Sequence, residues 1–272
     1  MKDSIGYKIF KVINAIILIL IVIATVYPFW NVVVLTPVGF NLETYKYVMS
    51  DPIFWINYKN TIIYTVVGTA ISLFLTTTLA YVTSKKYLPG RKFFIGLSVF
   101  TMFFAGGLIP NYLLIKSLGW MNTMWAVTVP GALSIFNMLI MKSFFESMPD
   151  ALEEAAIIDG ATPFQILMRI TLPLSKPILA TMVLFYAVGA WNAWYGAFLY
   201  MDNKNLFPVS VYLRNLVKGA TGAEAQSADE QSQVSSNIKA VTMVLTVLPV
   251  LIVYPFCQKY FVNGIMIGSV KG

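Results

Sequence analysis

The sequence predicts an all-α polytopic membrane protein with six transmembrane helices and both termini on the cytoplasmic side. Three observations carry this expectation. Of 272 residues, 58% are hydrophobic and only 11% are charged, against about a quarter charged in a soluble domain. Six apolar runs, near residues 12–36, 60–83, 93–115, 122–141, 178–200 and 240–257, each come close to the about 20 residues that cross a hydrocarbon core as helix. The cations are also divided unevenly among the segments that join these runs.

The first run follows the basic stretch MKDSIGYKIFK. It is longer than the about 7–15 residues of a signal-peptide core and no A-x-A-like site follows it, so it is expected to be retained as a helix. With the N-terminus inside, twelve of the 19 Lys and Arg residues fall inside. The strongest contribution is KKYLPGRK at 85–92, and the positive-inside rule favours this orientation. The net charge of +7 is therefore a topology signal, and no nucleic-acid partner is expected.

The third run contains FFAGGLIPNY, with Gly106, Gly107 and Pro110 close together. Small residues let helices approach, and a proline frees a backbone carbonyl for a neighbour or a pore. By these boundaries none of the six runs holds Asp, Glu, Lys or Arg, which leaves no evident proton relay at membrane depth. Neutral polar and aromatic residues do occur there, among them Asn111, Asn137, Trp191, Asn192, Trp194 and Tyr195. Carboxamides beside ring faces suit an uncharged, hydroxyl-rich solute; equally, such residues hydrogen-bond helices together. Asn137, Trp191, Asn192 and Tyr195 are the candidate substrate-pathway residues.

The chain has no histidine and one cysteine, Cys257. Zinc chemistry, hydrolytic triads and internal disulfides are therefore poor candidates, and no metal site is expected. Residues 201–239 fall outside in this topology and end in KGATGAEAQSADEQSQVSSN, a composition with little core-forming power.

The cytoplasmic segment 147–173 between the fourth and fifth runs differs from everything around it. Ser147, Pro149 and Asp150 resemble a capping box, so a short helix is expected to start there, with Asp150, Glu153 and Glu154 at its positive end and Gly160 as its stop. Thr162-Pro163-Phe164-Gln165 starts a second helix, expected to end before Leu172-Pro173. A short helix of small residues, carboxylates and exposed isoleucines suits a groove on another protein.

EAAIIDGATPFQILMRITLP, residues 154–173, resembles the EAA signature of ABC-importer permeases. The matching positions are Glu154, Ala155, Ala156, Gly160, Ile170, Leu172 and Pro173. FYAVGAWNAWY, GIMIGSVKG and the stretch from Gly106 to Phe145 are similar to the maltose-type carbohydrate permeases, in particular their lipoprotein-like and oligosaccharide subgroup.

The resemblance implies a type I ABC importer fold, and it implies that the short helix docks into a cleft on an ATP-hydrolysing partner. Glu154, Ala155, Ala156, Asp159 and Gly160 would form the coupling set. It further implies a second homologous permease, an ATPase dimer that binds ATP and Mg, an extracytoplasmic solute-binding protein and a carbohydrate substrate, all in a bacterial cytoplasmic membrane. The outer loop at 219–237 would reach toward the binding protein, and the C-terminal tail toward the ATPases. The sequence has no G-x-x-x-x-G-K-[ST] loop, so neither cofactor nor catalysis is expected of the chain itself. The competing reading is a facilitator or ion-coupled carrier that works without an ATPase; an intramembrane enzyme is a third.

Overall fold

A computed structural model describes residues 5–34, 42–222, 241 and 244–252, and every regular element among them is helical. Residues 223–240 of the expected outer loop, Cys257 and the C-terminal tail lie outside the described residues. The helices are α1 (Ile5–Val34), α2 (Leu42–Ser50), α3 (Pro52–Ser84), α4 (Arg91–Phe103), α5 (Leu108–Ser117), α6 (Trp125–Thr128), α7 (Ile135–Glu146), α8 (Asp150–Ile158), α9 (Pro163–Ile166), α10 (Leu172–Leu174), α11 (Lys176–Asn192), α12 (Tyr195–Tyr200) and α13 (Val209–Gly222). Residues 244–252 are also helical.

The chain divides into two compact units. One comprises Met1–Asp51 with Leu213–Val247, the other Pro52–Tyr212 with Leu248–Gly272. In the first unit, α1 leaves the whole apolar window Phe10–Tyr27 exposed. A helix satisfies its own backbone groups, so such a surface is stable in lipid and in little else. Thr25 removes its own hydroxyl from the hydrocarbon by donating to the carbonyl of Ile21 at 2.9 Å.

The second unit is built around α3. Beyond Lys59 its outward residues are mainly apolar, among them Ile62, Val66 and Phe74, whereas its buried face reads Asn57, Thr61, Gly68, Ser72, Thr76, Ala80 and Ser84. These recur at steps of four or seven and so lie on one side of the helix. A polar, small-residue interior and an apolar exterior are what lipid selects, because packing and interhelical hydrogen bonds replace the hydrophobic drive between helices. α7 and α11 pack on this face through Ala80, Tyr81, Met138, Met141, Leu167, Met182 and Tyr186.

By length and hydropathy, Phe10–Tyr27 and Pro52–Ser84 are each able to cross a membrane alone. The expected third run is instead a pair, α4 and α5, bent by 110°. The break falls at Gly107, whose φ of 87° is a left-handed value that glycine adopts without strain. Pro110 is not the kink: it sits in the first turn of α5, where no intrahelical N–H is needed. The expected fourth run is likewise interrupted between α6 and α7, where Ser134 accepts a hydrogen bond from the Asn137 N–H at 3.3 Å and starts α7. The fifth run breaks at Ala193 and Trp194, between α11 and α12.

The helix after Thr162 does not end before Leu172-Pro173, as the sequence suggests. α9 continues through a π-helical turn, Leu167–Thr171, into α10, then bends by 84° at Ser175 into α11. In the π turn the N–H of Leu172 reaches back five residues to the carbonyl of Leu167. This wider turn accommodates Pro173, which has no N–H to contribute to an ordinary α ladder.

Candidate functional site

Two places in the second unit collect the residues singled out from the sequence. The first is the turn region around α8. Pro149 precedes the helix without a side-chain cap, and Ser147 closes the preceding helix, its hydroxyl donating to the carbonyl of Phe144 at 2.7 Å. Asp150 therefore begins α8 without the expected capping box, and its carboxylate and that of Glu153 serve as the acidic groups of the first turn.

The far end of α8 is a Schellman closure. The N–H of Ala161 donates to the carbonyl of Ala156 at 2.9 Å and that of Gly160 to Ile157 at 3.0 Å. Gly160 holds φ at 78°. Immediately afterwards Thr162 and Gln165 form a reciprocal capping box: the Thr162 N–H donates to Oε1 of Gln165 at 2.8 Å, and the Gln165 N–H donates to the Thr162 hydroxyl at 3.3 Å. Two consecutive local stops and starts fix the corner between the short helices.

Of the expected coupling set, Ala156 is buried and packs inward, while Glu154, Ala155, Asp159 and Gly160 are exposed. Ile158 is 84% exposed, with Ile157, Leu152 and Phe164 also exposed nearby. Asp150 and Glu153, in contrast, already have partners within the chain. Lys86 donates to Asp150 at 2.8 Å, and its hydrogen bond, reinforced by its charge, holds the carboxyl below the usual Asp range. Lys85 meets Glu153 at 2.5 Å, and the Tyr87 hydroxyl donates to the other oxygen of the same carboxylate at 3.3 Å. Beside them, Arg91 pairs with Glu146, and Lys142 with Glu146 at 2.8 Å. The segment thus keeps Asp150 and Glu153 for itself and presents Glu154 and Asp159 outward.

The second place is a cavity of about 340 Å³ between α3, α6, α7, α11 and α12. Thr61, Tyr64, Gly68 and Ser72 line it from α3, with Thr128 and Asn137 across from them and Tyr186, Gly189 and Ala190 on α11. No charged side chain is among its lining residues. The Tyr186 hydroxyl is held at 2.5 Å from that of Thr76 and accepts from the Ser134 N–H at 3.4 Å. The glycines and alanines leave backbone close to the void, and hydroxyls with one carboxamide supply neutral donors and acceptors.

Of the four expected pathway residues, Asn137 alone lines this cavity. Trp191 is buried with its ring edge-on to Tyr58 at 5.6 Å, and it lines a separate apolar groove beside Ile62 and Val66. Asn192 is exposed and donates from Nδ2 to the carbonyl of Val188 at 2.9 Å, within the last turn of its own helix. Tyr195 is half-exposed and stands edge-on to Trp194 at 5.5 Å. The cavity hydroxyls on α3 are not among the residues expected from the sequence, because large polar and aromatic side chains stand out more; the four- and seven-residue recurrence of Thr, Gly and Ser is the signal that locates them.

Comparison with known proteins gives one consistent result. The profile of the family described as "Binding-protein-dependent transport system inner membrane component" matches residues 6–267. Protein LplC of Bacillus subtilis (strain 168) is 44% identical over 238 residues, covering 87% of this chain and 81% of that protein. The polygalacturonan/rhamnogalacturonan transport system permease protein YtcP of the same organism is 41% identical over 242 residues, covering 88% and 85%. A chain from the crystal structure of a bacterial ABC transporter involved in the import of the acidic polysaccharide alginate superposes with a TM-score of 0.81 at 31% identity, covering 96% of this chain and 99% of that one. The expectation drawn from the EAA segment thus meets an independent match along almost the whole chain, and the protein belongs to the family of binding-protein-dependent transport system inner membrane components.

Proposed function

We propose that this chain is one of two permease subunits of an oligosaccharide importer, and that α8 with its Gly160 corner docks into a cleft of an ATPase partner. The observation that carries the docking is the exposed face of Glu154, Ala155, Ile158 and Asp159, with Phe164 also exposed just past the Gly160 corner in the chain. Apolar residues so exposed at the tip of a capped turn need a partner, and the two outward carboxylates favour a basic one. Asp150 and Glu153 are already paired with Lys86 and Lys85 and so are not the groups offered to a partner.

In this reading the topology is six spans with both termini cytoplasmic. α4 with α5, and α9–α10 with α11, are bent elements of it, and α8 lies on the cytoplasmic side with Lys85, Lys86, Arg91 and Lys142. ATP and Mg belong to the partner subunits. Closure of the ATPase dimer displaces α8, and the permease pair alternates by rigid-body motion between inward-facing and outward-facing states. A solute-binding protein outside delivers the substrate.

The cavity supports a sugar on chemical grounds. Hydroxyls, a carboxamide and the aromatic ring of Tyr64 can bind a polyhydroxylated solute without any ion pair. The relatives' names point to acidic polysaccharides for YtcP and for the alginate importer. With no cation among the lining residues here, the carboxylates of such a substrate would find their counter-charges on the second permease. Asn137, Ser72 and Thr128 are the proposed contacts on this half.

The test compares liposomes containing this chain alone with liposomes containing it together with the second permease, the ATPase and the binding protein. Uptake of labelled oligogalacturonide and of neutral maltooligosaccharide is followed in each. Uptake of one or the other only in the complete set, and only with ATP inside, supports the reading. Uptake by the chain alone supports the facilitator instead.

A further inference from the structure

Two routes lead from α8 to the cavity. The covalent route runs through Gly160, the capping box of α9, a π-helical turn and an 84° bend before it reaches α11. A left-handed corner, a π turn and a sharp bend in series are places where backbone angles can adjust, so this route is compliant. The other route is α3. From Thr69 to Ser84 it is continuous helix with neither glycine nor proline, and the about 20 Å from Ser72 to Lys85 follows from helical rise.

The contact between α3 and the turn region is made by side chains. Lys85, the residue after the last turn of α3, bonds Glu153 of α8 at 2.5 Å and lies 4.3 Å from the centre of the Tyr81 ring. Lys85 and Glu153 are only 14% and 22% exposed. The neighbouring Lys86–Asp150 pair, at 74% and 67%, stands in solvent and holds little. Tyr81, one turn back on α3, donates its hydroxyl to the carbonyl of Pro163 at 3.0 Å, just beyond the corner. One end of α3 therefore grips both sides of the Gly160 corner, and the same helix carries Ser72, Gly68 and Tyr64 into the cavity.

We propose that Lys85 is a positioning residue which, with Tyr81, fastens the docking segment to α3, so that α3 carries the displacement of α8 to the cavity. This rests on the docking reading of α8. Methionine at position 85 would leave the half-buried Glu153 carboxylate without its cation and let α8 shift relative to α3. The ATPases would still close on α8, but the cavity end of α3 would move less.

The test uses the full importer in lipid nanodiscs, with Cys257→Ser and spin labels at the exposed positions Val66→Cys on α3 and Phe198→Cys on α12. The label separation is compared without nucleotide and after trapping with MgATP and orthovanadate, and trapped nucleotide is counted in the same sample. In Lys85→Met the nucleotide-driven change in separation should shrink by at least about twofold while trapped nucleotide stays at the unsubstituted level. Tyr81→Phe, which removes a single oxygen, should shrink it less. Lys85→Arg and the exchange Lys85→Glu with Glu153→Lys should both restore it, because each restores a cation–carboxylate contact between α3 and α8; the loss of movement at an unchanged level of trapped nucleotide is the readout that a merely structural role would not give.

A full-sized change in both Lys85→Met and Tyr81→Phe overturns the proposal, as does an assembled exchange variant that fails to recover. Glu154→Arg separates the two levels. If Glu154→Arg abolishes trapping while Lys85→Met moves normally, the docking reading stands and the role of Lys85 falls; if Glu154→Arg traps and moves normally, both fall. Where Lys85→Met does not assemble, Tyr81→Phe and the exchange variant decide.

Discussion

The hydroxyls of Thr76 and Tyr186 lie 2.5 Å apart, buried, joining α3 to α11 behind the cavity. They stand 110 residues apart in the chain, so this bond is a tertiary lock between the two principal helices of the second unit. Tyr186→Phe keeps the ring in its place and leaves the Thr76 hydroxyl without its partner. The expected loss is about 0.5–1.5 kcal/mol, the range for a buried interhelical hydrogen bond in a membrane protein. A lower Tm of the purified protein in detergent checks it, and Thr76→Val combined with Tyr186→Phe should cost less than the sum of the two single changes.

Gly160 gives a prediction of a different kind. A Cβ there would meet nothing within 4 Å, so the cost of substitution lies in the φ of 78° alone. Gly160→Ala should cost about 1 kcal/mol of local stability, and Gly160→Asn less, because asparagine tolerates left-handed angles. Since α8 and α9 are separated only by this corner, ligand-stimulated ATP hydrolysis by the assembled importer should fall in the order glycine, asparagine, alanine, valine. Equal activity of the asparagine and valine variants would show that the corner angle is irrelevant.

The Lys86–Asp150 pair fixes a pH window. Asp150 is lowered from 3.8 and Lys86 raised from 10.5, in both cases first by their shared hydrogen bond. A depressed carboxyl contributes above its unfolded value and loses that contribution as pH falls through the folded one. A raised amine contributes below its unfolded value and loses it as pH rises through the folded one. The pair is thus complete from about pH 4 to about pH 10. Any difference in activity between the unsubstituted importer and Asp150→Asn should be constant from pH 6 to pH 8, and a difference that varies across this range would contradict the assignment.

Much of the turn region was legible in the sequence because its signals are local. Thr162-Pro163-Phe164-Gln165 and Gly160 set backbone geometry within one turn, and the structure forms both the capping box and the left-handed closure. Ser147 misled because it stands where one helix ends and the next starts, and its hydroxyl bonds backward to Phe144. Leu172-Pro173 reads as a stop only when an α ladder is assumed; the π turn admits the proline. Hydropathy located apolar runs but not the breaks inside them at Gly107 and Ala193, since a broken helix in a protein interior is as apolar as a straight one. The cavity was the least legible part. Thr61, Ser72 and Thr128 are small and weakly polar, and only the packing of α3 against α6, α7 and α11 brings them round one void.

If α8 docks as proposed, its exposed face is where a partner's ATP hydrolysis enters this subunit. Ligand-stimulated ATP hydrolysis by the reconstituted importer, with Glu154→Arg against the unsubstituted chain, is the decisive comparison. A carboxylate replaced by a cation at a basic docking cleft should lower stimulation by at least about tenfold, while the permease pair still assembles in the membrane. Stimulation by Glu154→Arg equal to that of the unsubstituted importer would show that α8 does not dock on the ATPase through this face.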